Sequence, residues 1–140
     1  MSKNKTLAET NNNPLNIRYT PSNQWRGQTG QNKGFCTFRS PSYGIRAGYR
    51  ILCNYIRNGI DTIEDIIRRW APPSENDTER YINFVCAETM IHRIEKLRNE
   101  TEHDYWTIII ILQAMAQMEC GMKYDENLIS QFINYPEKYE

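Results

Sequence analysis

The segment that most constrains this chain is Asp104-Tyr105-Trp106-Thr107-Ile108-Ile109-Ile110-Ile111-Leu112-Gln113-Ala114-Met115-Ala116-Gln117-Met118-Glu119, which Gly121 ends. Its length suits a helix, but its apolar residues fall almost all round the helical wheel, and a helix without a polar face must be enclosed. In a chain of 140 residues the other elements have to do the enclosing, so one domain around one central helix is expected. A membrane span is not expected: the longest apolar run, residues 108–112, has five residues, against the roughly 18–20 a bilayer requires.

The surrounding elements read as shorter amphipathic helices. Ser40-Pro41-Ser42 opens a helix over residues 43–57 with Ile45, Tyr49, Leu52, Cys53 and Ile56 on one face, closed by Asn58-Gly59. Asp61 or Thr62 caps a second, residues 62–70, with a stripe of Ile63, Ile66, Ile67 and Trp70 and a stop at Pro72-Pro73. A third covers residues 77–88 with Tyr81, Phe84 and Val85 inward. Residues 90–102 are charged and only partly helical, and a short helix at 126–133 precedes a polar tail. Residues 11–34 are rich in Asn, Gly, Pro and Gln, and within this region residues 16–19 and 35–38 read as short strands flanking a long turn. The expected class is mainly α with a small β-hairpin: residues 1–10 a flexible tail, residues 11–140 a single domain.

The zero net charge conceals a division. Residues 1–50 carry eight Lys/Arg and one acid, +7, while residues 51–140 carry nine Lys/Arg and sixteen acids, −7. That split fits a basic face that meets an anionic polymer, nucleic acid or bacterial wall, and it equally fits two halves that pair with each other. Arg outnumbers Lys 11 to 6, which favours planar donor forks suited to polar or anionic ligands. Sixteen aromatic residues argue against global disorder despite a mean hydropathy of −0.73. Cys36, Cys53, Cys86 and Cys120 form no CxxC pair and lie at no finger spacing from His92 or His103. Reduced thiols are therefore expected, with no metal site and no cofactor. Residues 1–13 are polar and lack the apolar core of a secretory signal, so synthesis in the cytoplasm is expected.

Three places could carry chemistry. Glu119 falls in the last turn of the most buried helix, where the helix dipole disfavours a carboxylate and apolar neighbours raise its pKa, as a general acid requires. A second place is the polar hairpin, Asn11-Asn12-Asn13-Pro14-Leu15-Asn16-Ile17-Arg18-Tyr19 with Trp25-Arg26-Gly27-Gln28-Thr29-Gly30. It offers amides, guanidinium and aromatic faces to a carbohydrate or single-stranded nucleic acid, although Asn and Gly are also ordinary turn formers. The third place is Arg69-Trp70-Ala71-Pro72-Pro73-Ser74-Glu75-Asn76-Asp77-Thr78. There Ser74 and Asp77 have capping-box spacing, and Glu75 is a candidate second carboxylate for glycosidic chemistry.

In order along the chain stand Asn12-Asn13-Pro14-Leu15-Asn16-Ile17-Arg18, Gly34-Phe35-Cys36-Thr37-Phe38, Gly44-Ile45-Arg46-Ala47 and the Arg69–Thr78 string. Together they resemble a phage and prophage family of virion or structural proteins regarded as lysozyme-like, with short members from the Bacteroides group most similar. More loosely, the chain is similar to wall-degrading glucosaminidases and lytic transglycosylases. In these a buried helix ends in Glu-Ser-Gly or a similar triplet, and in the glucosaminidases an Asn-Asn hairpin follows it. Here the order is reversed: Glu119-Cys120-Gly121 comes after the hairpin, only residues 1–10 precede it, and Glu9 is a poor catalyst. The resemblance therefore implies a lysozyme-like α+β domain in circularly permuted order, in which Glu119 meets the hairpin in space. It implies Glu119 as acid/base on peptidoglycan, Glu75 as possible second carboxylate, and Asn12, Asn13, Asn16, Arg18, Trp25 and Tyr81 on the substrate side. Its alternative is a non-enzymatic virion component that binds wall or other virion proteins. Cys120, where Ser is commoner, favours that alternative. The expected partners are thus peptidoglycan and virion proteins rather than nucleic acid or a membrane, and the expected location is the virion, or the wall after release at lysis.

Overall fold

In the structure, a computed structural model that describes residues 5–140, helix α5 (Glu102–Cys120) occupies the centre. Ile108, Ile109, Ile111, Leu112, Ala114, Met115 and Ala116 are each no more than 2% exposed, and the remaining face, Trp106, Ile110, Gln113 and Gln117, is half-buried. Around it pack α1 (Leu7–Thr10), α2 (Pro41–Arg57), α4 (Thr78–Thr89) and α6 (Glu126–Asn134), and α3 (Ile63–Trp70) lies against α4. Side-chain caps set the helix starts: Thr62 accepts from the Asp65 N–H, Asp77 from Arg80, Thr101 from Asp104 and Asp125 from Leu128. No helix among the described residues is long and apolar enough to cross a membrane.

The small sheet differs from the expected one. Strand β2 (Phe35–Phe38) pairs antiparallel with β1 (Gln28–Asn32), joined by Lys33-Gly34 at φ 54° and 86°. This left-handed two-residue turn matches strand twist, and so short a closure costs less chain entropy than the long turn that pairing 16–19 with 35–38 needs. Residues 17–19 instead run along the other edge of β2. They are held by the single bridge Arg18–Phe35 and by hydrogen bonds from the Cys36 N–H to the Ile17 carbonyl and the Tyr19 N–H to the Gly34 carbonyl.

Residues 6–10 and 136–139 carry more structure than their polarity suggests. Of the expected tail, residues 1–4 lie outside the described residues, but Leu7–Thr10 form a helical turn. Thr6 and Glu9 make a capping box there, and Ala8 is buried. At the other end Pro136–Tyr139 is a 3₁₀ turn. The Ser42 hydroxyl donates to the Pro136 carbonyl at 2.8 Å and the Tyr43 hydroxyl to Glu140 at 2.6 Å. Ser42 is fully buried, so its hydroxyl needs such a partner. Residues 90–101 carry no helix.

One close approach positions everything that follows. In α2, a Cβ on Gly44 would stand 2.9 Å from Pro14 Cδ and 3.0 Å from the Asn12 carbonyl oxygen. A Cβ on Gly48 would stand 2.1 Å from Leu15 Cδ1. Two glycines one turn apart thus let the 12–16 loop lie directly on α2, and Leu15, fully buried, plugs the gap. The neighbouring Asn16 is thereby delivered to the end of α5.

Candidate functional site

Asn16 has φ 52°, a left-handed conformation that Asn tolerates better than most residues. From there its Nδ2 donates to Glu119 Oε1 at 3.0 Å, and it also reaches the Glu119 main-chain carbonyl at 3.3 Å. On the other side Tyr81, one turn into α4 and only 5% exposed, donates its hydroxyl to Glu119 Oε2 at 3.0 Å. Each carboxyl oxygen therefore accepts from a different element, and the side chain is held between the hairpin region and the helical core.

The electrostatics are contested at this point. Burial pushes the Glu119 carboxyl above its ordinary value, while donation from Asn16 and Tyr81, the nearby Trp70 indole and the Arg18 charge all pull it down. Burial prevails. The Tyr81 hydroxyl is pushed well above its usual range, by burial first and by the Glu119 carboxylate second, so it stays a donor at neutral pH. A carboxyl inclined to keep its proton, with both oxygens positioned, can give that proton to a bound group and take one back.

Asn16 also lines a groove of about 440 Å³, together with Arg18, Trp25, Tyr55, Arg69 and Trp70 among others, whereas Glu119 and Tyr81 lie behind that lining. One wall is aromatic: Tyr55 and Trp70 meet edge to face at 6.4 Å, and the Arg69 guanidinium lies 5.8 Å from the Tyr55 ring centre. The Trp70 indole N–H donates to the Leu15 carbonyl at 3.2 Å, which fixes the ring's angle. Arg18 stands over the Phe35 ring at 5.0 Å and pairs with Glu75 at the exposed rim. Flat rings beside amides and guanidinium groups suit a ligand with alternating apolar faces and hydroxyl edges, as in a sugar chain.

Of the residues singled out from the sequence, Glu119, Asn16 and Tyr81 come together, with Arg18 and Trp25 along the groove. Asn12 and Asn13 do not join them. Asn13 is fully buried, its Nδ2 donating to the Ile17 and Cys36 carbonyls at 3.0 Å and its Oδ1 accepting from the Ile17 N–H at 2.9 Å. Asn12 donates to the Phe38 carbonyl at 3.0 Å. Both amides are spent on backbone groups of the hairpin region; Asn13 has its whole amide committed, while Asn12 bonds through Nδ2 and faces away from the Glu119 groove. Glu75 is half-exposed, bound to Arg18, and makes no contact with Glu119. Trp70, Tyr55 and Arg69 were not on the substrate side of the sequence reading. Trp70 sits on an apolar stripe, and a stripe position does not reveal that the ring's outer face lines a groove.

No protein-family model matches the chain. It is 45% identical over 124 residues to Protein P5 of Pseudoalteromonas phage PM2, an alignment that spans 83% of this chain and 74% of that protein.

Proposed function

The chain belongs to the family of Protein P5 of Pseudoalteromonas phage PM2, and we propose, on the geometry around Glu119 rather than on that kinship, that it is a phage protein that binds bacterial wall glycan and cleaves it with Glu119. The observation that carries this reading is the buried carboxyl held by Asn16 and Tyr81, with Asn16 itself lining an aromatic groove. The domain is lysozyme-like in this reading. Its Glu-bearing helix follows the Asn-rich hairpin in sequence but lies beside it in space, a circularly permuted order.

In the proposed reaction, protonated Glu119 donates to the glycosidic oxygen as the bond to the anomeric carbon breaks. The resulting carboxylate then removes a proton from the group that attacks that carbon, either the same sugar's 6-hydroxyl or a water. Asn16 and Tyr81 hold the carboxyl in one orientation, and their hydrogen bonds strengthen as it gains charge. Glu75 is tied to Arg18 at the rim, so the single-carboxyl route through the 6-hydroxyl fits this site better than a two-carboxyl hydrolysis.

A second reading has the kinship itself in its favour. Relationship to a phage protein bears directly on a non-enzymatic virion component that grips wall or neighbouring virion proteins through the same groove, and it brings no support for cleavage. One assay separates the two: purified protein on peptidoglycan beside Glu119→Gln. Muropeptides released by the wild type alone support the enzyme, and anhydro ends among them identify the 6-hydroxyl route. Binding without release by either protein supports the virion component. Equal release by both removes Glu119 from the chemistry.

A further inference from the structure

A second groove, of about 660 Å³, continues from the first: Trp25 and Asn54 line both. Its cations are Arg26, Arg46, Arg50 and Arg57, and no Asp or Glu lines it. Arg26 is paired with Glu137 at 3.2 Å, but among the described residues Arg46, Arg50 and Arg57 make no ion pair. These three share one face of α2 with Tyr49, Cys53 and Asn54 and span about 16 Å of helix, at 1.5 Å per residue. The Arg46 guanidinium is partly buried, and Arg50 and Arg26 repel its charge. Unpaired like charges crowded along a concave surface cost stability, and a ligand that brings anions recovers it.

Beyond Arg57 the character changes. A third groove shares Cys53, Arg57 and Asn99 with the second and is lined by Asp61 and Glu100 beside Lys96 and Arg98. That groove sets Arg57, Lys96 and Arg98 against the two carboxylates, with Asp61 paired to Lys96 at 3.6 Å, so its charge is mixed where the second groove is uniformly basic. A branch with anionic groups near the glycan and an amine further out would meet the arginines first and Glu100 beyond them.

We propose that the Arg46–Arg50–Arg57 face is a subsite for the carboxylates of a peptidoglycan stem peptide, which branches from the glycan strand seated in the Glu119 groove. This rests on the glycan reading above and deepens it: the substrate is the peptide-bearing strand rather than bare glycan. Glu100, in the adjoining groove and in no ion pair among the described residues, is the carboxylate offered to the amine of the stem's diamino acid.

Binding rather than cleavage tests the subsite, with the Glu119→Gln protein so that ligands stay intact. Three soluble probes are titrated: strands with their stem peptides, the same strands stripped of stems by an amidase, and short single-stranded DNA. Stemmed strands are expected to bind roughly tenfold more tightly than stripped ones, the gain of one or two charge-assisted contacts. Adding Arg50→Gln and Arg57→Gln, both exposed positions, should narrow that ratio to within twofold and leave the stripped-strand affinity unchanged. Equal affinity for stemmed and stripped strands overturns the subsite and leaves the glycan groove standing. No binding of either overturns both readings. DNA bound more tightly than stemmed strands, with a steep loss in salt, overturns the proposal in favour of a polyphosphate groove.

Discussion

Tyr81→Phe isolates one atom. The phenyl ring keeps its place in the core, and only the hydroxyl that donates to Glu119 Oε2 at 3.0 Å is lost. A buried hydrogen bond to a charged acceptor contributes about 1.5–3 kcal/mol, against about 0.5–1.5 for a neutral one. The hydroxyl therefore favours the ionised carboxylate over the acid by about 1–1.5 kcal/mol, and its removal raises the Glu119 pKa further. The direction is the same as that of burial, which already holds this group above the ordinary carboxyl value. For a carboxyl raised in the folded state, the stabilising contribution is full below the unfolded value and is lost as pH rises through the folded one. In the variant that loss is deeper and continues to higher pH.

Urea unfolding of both proteins from pH 4 to pH 8 reads this out. Tyr81→Phe should cost about 1 kcal/mol at the acid end and about 2 at the alkaline end. In a Glu119→Gln background the same substitution should cost a constant amount, and the side-chain carboxyl resonance of ¹³C-labelled Glu119 should titrate at a higher pH in the single variant than in the wild type. A cost that does not change with pH would refute the reasoning. It would mean that the hydroxyl spends itself on the Met115 carbonyl, 3.5 Å away, instead of on Glu119.

Three further substitutions probe the frame and the rim. Asn13→Ala removes three buried hydrogen bonds and takes the side-chain partners from the Ile17 N–H and the Cys36 carbonyl, while the Ile17 carbonyl keeps the Cys36 N–H, so a loss of about 2–4 kcal/mol is expected by denaturant unfolding at any pH between 5 and 8. Gly48→Ala drives a methyl against Leu15 and should cost about 1–3 kcal/mol by overpacking; wild-type stability would show that the 12–15 loop can move off α2. Glu75→Gln breaks only an exposed ion pair. It should leave muropeptide release within about threefold of wild type, because such pairs contribute little, and complete inactivity would make Glu75 a second catalytic carboxylate.

The helices were legible because local rules and burial agree. Apolar period, caps and stops place residues 43–57, 62–70 and 77–88 within two residues of α2, α3 and α4, and the all-round apolar segment is indeed the central helix. The sheet was less legible. Gln28-Thr29-Gly30-Gln31-Asn32 has no strand composition, and its pairing follows from the Lys33-Gly34 turn and from β2 needing partners. For the site, Glu119 was visible as a carboxyl in the wrong place on a buried helix, and Tyr81 as an inward polar ring. The three asparagines were not separable by sequence. Asn12, Asn13 and Asn16 share one loop, yet only backbone geometry decides that Asn13 turns inward to the hairpin while Asn16, at positive φ, turns to Glu119. Trp70 looked like core because one ring face can pack while the other lines a groove, and Tyr55, off the apolar stripe of its helix, gave no signal at all.

The local preferences that this chain breaks converge on one point. Glu119 sets a carboxyl in the last turn of α5, against the helix dipole, at about 0.3–1 kcal/mol; burial raises its pKa; and Asn16, its partner, holds a left-handed backbone. An apolar residue at 119 would relieve the first two. Strain of this kind persists only where the surroundings over-determine it, and the surroundings here are stiff. Asn13 has its whole amide committed, Gly44 and Gly48 admit the loop without slack, and Trp70 bonds to the carbonyl beside Asn16. Changes to the frame and to the carboxyl should consequently have opposite signs. Loss at Asn13 or Gly48 weakens the fold, whereas Glu119→Gln strengthens it at neutral pH by removing an ionisation that burial opposes, with the gain vanishing below about pH 4, where both side chains are neutral. A carboxyl retained for stability would give the reverse, a fold weakened by Glu119→Gln, so that one sign distinguishes a group kept for packing from a group kept for what it meets in the groove.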